Sequence, residues 1–164
     1  MQTNVNVLKL YAIGVLLLLL GIVTHSVSAD ESSDFVLNDL EGKEYRVSDY
    51  RGKWIVMNFW ATWCPPCIHE MPELQAFHTE HKDTDAVVWG ITFEEISKAD
   101  LRKFLKKVNV TYPILGYGQN PDTGYGKVNV LPTTFLIDPA GKFFRRFEGP
   151  ITQAHLEQAI ASPP

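Results

Sequence analysis

The chain of 164 residues holds only two cysteines, Cys64 and Cys67, and they stand at the junction of an apolar run and a helical stripe. Before them, Trp54-Ile55-Val56-Met57-Asn58-Phe59-Trp60 reads as a strand covered on both faces, probed by a single polar residue, Asn58. After them, Ile68, Met71, Leu74 and Phe77 recur at the spacing of one helix face, interleaved with His69, Glu70, Glu73, Gln75 and His78. Strand, tight turn and helix must therefore follow in immediate succession, with Cys64 at the turn and Cys67 on the helix that follows. A pair this close cannot staple distant parts of a fold, but it can alternate between dithiol and disulfide.

The segment Trp63-Cys64-Pro65-Pro66-Cys67 carries the chemistry. At a helix start the first N–H groups lack intrahelical partners and the dipole is positive, so a thiolate at Cys64 is stabilised and its pKa falls. Pro65 and Pro66 cost little at a first turn and stiffen the loop between the sulfurs. Cys64 can attack a partner's disulfide, and Cys67, sheltered further along the helix, can then attack the mixed disulfide and release the product. Two other readings of the pair are a static structural disulfide and half a zinc site completed by His69, His78 or His81. Prolines between the ligands and the strand-to-helix setting fit exchange better, and His78 and His81 read as solvated helix residues.

The remaining elements follow from periodicity and turn chemistry. Phe35-Val36-Leu37 and Glu44-Tyr45-Arg46-Val47 flank a Glu41-Gly42 turn and predict a hairpin, and Ser48 to Lys53 reads as a polar loop. Ala86 to Phe93 predicts a second buried strand, followed by a helix with Leu101, Phe104, Leu105 and Val108 inward and Ser97 and Asp100 at its start. Asn109-Val110-Thr111 matches a glycosylation acceptor but reads here as a helix end. Tyr112 to Leu115 is a short strand, Gly116 to Gly126 a loop, and Thr133 to Asp138 with Phe143 to Phe147 a hairpin. Thr152 caps a last helix running to about Ala161, with Leu156, Ala159 and Ile160 inward. The order predicts an α/β fold with a mixed sheet.

The amino terminus is separate. Lys9 precedes the uncharged run Leu10 to Val23, and Val27-Ser28-Ala29 supplies small residues before Asp30. This reads as a secretory signal, residues 1–29, cleaved after Ala29, with the domain at 30–164. The run falls short of the roughly 20 residues of a spanning helix, while Val5, Val7, Leu8 and Thr24 extend it toward an uncleaved membrane anchor. Both readings put the domain in a periplasm-like space beyond the glutathione pool. The formal charge of -4, with both signs mixed along the chain, offers no basic face and speaks against nucleic acid as a partner.

In Asn58-Phe59-Trp60-Ala61-Thr62-Trp63-Cys64-Pro65-Pro66-Cys67, Pro72, Leu131-Pro132-Thr133-Thr134-Phe135-Leu136-Ile137-Asp138 and Gly141-Lys142, residues 35–160 resemble the thioredoxin superfamily, specifically its exported TlpA/ResA-like branch. The resemblance implies a thioredoxin-like fold with an amino-terminal hairpin, and a thiol-disulfide oxidoreductase that needs no cofactor and no metal. It implies that Pro72 kinks the active-site helix and that the Leu131-Pro132 bond is cis, facing the sulfurs, with the Leu131 backbone open to a substrate strand. Trp63, Pro65 and Pro66 would complete the substrate wall, while Trp60 belongs to the core. Thioredoxins carry a buried aspartate where this chain has Asn58, which cannot take up a proton. The resemblance places a glutamate after the next strand for that work, at Glu94 or Glu95. Glu95 aligns better and is expected to be buried near the sulfurs, with Glu94 a surface carboxylate. The implied partners are protein disulfides and a membrane-bound electron donor, in cytochrome c maturation or copper-site assembly; a monomer is the default expectation. An oxidant or isomerase, and a copper- or zinc-binding module, are the alternative functions.

Overall fold

The computed structural model describes Asp34 and residues 36–116 and 124–162, so the expected leader or anchor at 1–29 lies outside the described residues, as do Phe35 and most of the 116–126 loop. Seven strands, Val36–Asn38 (β1), Glu44–Arg46 (β2), Trp54–Trp60 (β3), Ala86–Thr92 (β4), Ile114–Leu115 (β5), Thr133–Ile137 (β6) and Phe143–Glu148 (β7), alternate with three α-helices among the described residues. The helices are Pro65–His81 (α1), Lys98–Val108 (α2) and Gln153–Ala161 (α3). The first two strands form an antiparallel hairpin, and the others a sheet of order β5-β4-β3-β6-β7, with β3, β4 and β5 parallel and β6 and β7 antiparallel. This is the mixed sheet of a thioredoxin-like fold with an amino-terminal hairpin, as the resemblance implied.

The order explains where the helices lie. The chain steps from β3 to β4 to β5 in one direction, so right-handed crossovers put α1 and α2 on the same face. Strand alternation then sorts the core into two sets of side chains. Trp54, Val56 and Trp60 pack with Met71, Leu74 and Phe77 of α1, Leu101 of α2 and Leu156 of α3. Ile55, Met57 and Phe59 pack with Leu37, Tyr45 and Val47 from the hairpin region. By the same alternation Asn58 points toward α1, into the helix side of the core.

Local chemistry sets the element ends. Asp39 Oδ1 accepts the Glu41 and Lys43 N–H groups at 2.9 Å each, and Gly42, at φ 89°, closes the hairpin turn. Val47, expected to end the second strand, and Ser48 to Tyr50, expected as loop, form a 3-10 turn because Val47 is buried and Asp34 accepts both Ser48 N–H and Ser48 Oγ–H, at 3.0 and 2.9 Å. Ser97 caps α2 through Asp100 N–H, and Asn109 ends it in the left-handed conformation at φ 56°, as expected of a helix end. Thr152 caps α3 through His155 N–H. Gly90 on β4 leaves room for its neighbours: a Cβ there would meet Ile114 Cδ1 at 2.6 Å and both Trp60 Nε1 and Tyr112 Cε2 at 3.0 Å.

The inner face of α1 differs from the expected stripe. Ile68 is only half-buried, whereas Glu70 and His78, read as outer residues, are buried with Cys67, Met71, Leu74 and Phe77. His78 is therefore not a solvated residue: its Nδ1 accepts the Val88 N–H of β4 at 3.1 Å, and burial pushes its pKa down to about 4. A lowered imidazole pKa stabilises the fold above pH 6.5 and withdraws that stability as pH falls from 6.5 toward 4. The withdrawal amounts to on the order of 2 to 3 kcal/mol. His78→Asn keeps an acceptor near the Nδ1 position without the titration. In urea unfolding between pH 7.5 and 4 it is expected to lose less stability than the unaltered chain.

Candidate active site

The active site is assembled where β3 ends and α1 begins. Cys64 is the N-cap of α1, with Pro65 and Pro66 in its first turn, and it is disulfide-bonded to Cys67 at S–S 2.02 Å and Cα–Cα 5.3 Å. The turn into the helix closes through Cys64 N–H to the Ala61 carbonyl at 3.2 Å, and Ile68 N–H returns to the Cys64 carbonyl at 3.2 Å. Cys67 is fully covered and Cys64 is 4% exposed, so Cys64 is the sulfur a partner meets first. Around it Trp63 is 65% exposed, and Pro65 and Pro66 are exposed as well. Trp60, by contrast, lies in the core, as expected.

The opposite wall comes from β6. Thr133 pairs with Phe59 in the antiparallel register, which sets Pro132 at the level of Trp60, beside the exit of β3. The Leu131-Pro132 peptide bond is cis. Leu131 is half-buried and Val130 is 44% exposed, so an apolar rim adjoins the proline. Helix α1 runs without interruption through Pro72, whose missing N–H leaves the Ile68 carbonyl without its helical donor.

Behind the sulfurs lies one buried acid, Glu70. It follows Cys67 by three residues and so occupies the same helix face one turn on. Asn58 Nδ2 donates to Glu70 Oε1 at 2.8 Å and to Thr134 Oγ1 at 3.0 Å, and Asn58 and Thr134 are direct cross-strand partners. Ile151 N–H donates to Glu70 Oε2 at 2.9 Å. Burial raises the Glu70 pKa to about 7, against the opposing pull of these two donors. A carboxyl poised there can hold or accept a proton near neutrality, one helical turn from the resolving sulfur.

The structure corrects the expectation that Glu95 is buried near the sulfurs. That side chain is exposed on the loop between β4 and α2. Glu94 beside it is not a free surface carboxylate either: it is half-buried and accepts both Thr62 N–H and Thr62 Oγ–H. The acid that has the burial and the raised pKa expected of Glu95 is Glu70. The signal for it was present in the sequence, because Glu70 lies three residues after Cys67, the spacing of neighbours on a helix, and Asn58 is a lone polar residue in an apolar strand.

A strand-turn-helix dithiol with a cis-proline beside it and a buried acid behind it defines a thioredoxin-fold thiol-disulfide oxidoreductase. Comparison with known proteins agrees. The AhpC/TSA family model matches residues 29–144, and the chain belongs to that family, in its ResA-like branch. It is 38% identical over 129 residues to the thiol-disulfide oxidoreductase ResA of Geobacillus thermodenitrificans, covering 79% of this chain and 74% of the relative. It is 34% identical over 131 residues to the ResA of Bacillus thuringiensis subsp. konkukian, covering 79% and 75%. Among solved structures, an exposed lipoprotein thioredoxin of Streptococcus pneumoniae superposes with TM-score 0.64 at 30% identity, covering 79% of this chain and 98% of that one. A putative thiol:disulfide interchange protein DsbE of Chlorobium tepidum gives TM-score 0.67 at 29% identity, with 79% and 92% coverage.

Glu70→Gln is expected to remove the inflection near pH 7 from the rate at which Cys67 resolves a mixed disulfide, and to slow that step about 100-fold above the inflection. Stopped-flow measurement from pH 5 to 9 checks this. A raised carboxyl pKa also makes the fold lose stability as pH rises from 4.5 to about 7, so the variant should be relieved of that loss in the same window.

Proposed function

We propose that this protein works outside the cytoplasm as a reductant of disulfides in protein partners, of the kind needed before haem or copper is attached to a cysteine pair. Cys64 attacks the partner disulfide, forming the mixed disulfide and releasing one partner thiolate. Cys67 then gives its proton to Glu70, attacks Cys64 Sγ and frees the second partner thiol, leaving the Cys64-Cys67 disulfide to be reduced again by a membrane-bound donor. Trp63, Pro65, Pro66 and Leu131 form the docking wall, and Pro132 turns the backbone toward the sulfurs.

The reductive direction rests on one observation. Pro65 and Pro66 fill the first turn of α1, so the helix start that favours a Cys64 thiolate does so with two amides fewer than an ordinary first turn offers. Glu70 adds to this, since a carboxylate behind Cys67 disfavours a second negative charge there. A dithiol whose reduced form is poorly stabilised is a better electron donor. Residues 1–29 serve in this reading as the export signal or as a retained anchor, in keeping with an exposed lipoprotein among the solved relatives.

The test combines the equilibrium potential with trapping by Cys67→Ala in an exported-protein extract. A potential below about −230 mV together with trapped partners is the expected result. A potential near about −120 mV makes the protein an oxidant. Tight Cu(I) or zinc binding by the reduced dithiol without trapped partners makes it a metal-binding module.

A further inference from the structure

The loop between β4 and α2 carries two adjacent carboxylates with different surroundings. Glu95 is exposed, whereas Glu94 is half-buried and spends both oxygens on one residue. Its Oε1 accepts Thr62 N–H at 2.5 Å, and its Oε2 accepts Thr62 Oγ–H at 2.9 Å. Two hydrogen bonds from one residue to the two oxygens of one carboxyl group fix direction as well as distance. The grip continues the β3–β4 ladder beyond the sheet: Trp60 pairs with Thr92, Phe93 N–H donates to the Trp60 carbonyl at 2.8 Å, and Glu94 then takes Thr62.

Thr62 is the point at which this matters. It is the second residue of the turn that begins at Ala61 and closes on Cys64 N–H, and it directly precedes Trp63. Neither Trp63, which is 65% exposed, nor the Thr62 backbone belongs to a helix or strand. With the N–H and the hydroxyl of Thr62 held by a residue 32 positions away, the turn has little freedom left to redirect the indole or the sulfur.

We propose that Glu94 is a positioning residue: by clamping Thr62 it presets Trp63 and Cys64 for docking of a folded or peptide disulfide, and it takes no part in proton transfer. This rests on the reading of Cys64 as the attacking sulfur. A small disulfide makes no use of the Trp63 wall, so the clamp should discriminate between large and small substrates. The pH dependence set by Glu70 should be indifferent to it.

The experiment compares Glu94→Ala, Glu94→Gln and Thr62→Val, with Thr62→Ser as the conservative partner, on a cyclic disulfide peptide and on the small disulfide DTNB. Glu94→Ala is expected to lower kcat/KM for the peptide about tenfold, mainly through KM, with DTNB reduction changed less than about twofold. Glu94→Gln, which keeps one acceptor, should fall between, Thr62→Ser should retain the activity of the unaltered chain, and the inflection near pH 7 should stay in place. Glu94→Ala and Thr62→Val should also be non-additive, as expected of two halves of one contact. Equal losses on both disulfides, or a displaced inflection, would overturn the proposal, because Glu94 would then act on the sulfur chemistry itself. If the unaltered protein does not turn over the peptide at all, it is the functional reading that fails. The clamp is then judged by NMR of fluorotryptophan-labelled protein, with the Trp63 resonance assigned by Trp63→Phe. That resonance should broaden or shift in Glu94→Ala while oxidised-state unfolding remains cooperative, and an unmoved resonance refutes the clamp.

Discussion

The contact between Asn58 and Glu70 organises the centre of this domain. An acid in the middle of an apolar core is tolerated only when its oxygens have donors, and here one comes from the central strand and another from the segment entering the last helix. The amide of Asn58 can serve because strand alternation turns it to the helix face, where Thr134 on the neighbouring strand takes its other hydrogen. Sheet, active-site helix and carboxy-terminal helix thus converge on one carboxyl group. Cys67 lies one helical turn away from it, so a buried acid held by several elements also lies where a proton can be exchanged.

Two kinds of rigidity surround the disulfide. Prolines at positions 65 and 66 fix the backbone between the sulfurs covalently, while the turn before them is held by hydrogen bonds alone. The first is insensitive to its surroundings. The second depends on a side chain from another loop, which makes the exposed face around Trp63 adjustable by substitution without disturbing the cysteine pair.

Much of this was legible in the sequence. The apolar run 54–60, the helical stripe after Cys67, the capping residues Ser97 and Thr152 and the turn at Asn109 each specify an element through local chemistry, and each element formed where that chemistry placed it. The role of Glu70 was harder to see because a charged residue between apolar neighbours on a helix is ordinarily solvated. What overrides that preference is tertiary: the register that faces Asn58 to α1, and the return of the chain at Ile151. His78 was misread for the same reason, its burial being decided by the amide of Val88 on the next strand. Glu95 and Glu94 differ only in which side of a short loop they face, and no periodicity governs residues outside a helix or strand.

The donors on Glu70 also bind the end of the chain to its centre. Ile151 N–H on Glu70 and Gln153 N–H on Glu73, at 2.9 and 3.0 Å, seat the start of α3 on the helix that carries the sulfurs. A domain trimmed after β7 would lose more than apolar surface. It would leave the central acid without one of its two donors, so the surroundings of a carboxyl beside the cysteine pair are completed by a backbone amide more than eighty residues downstream.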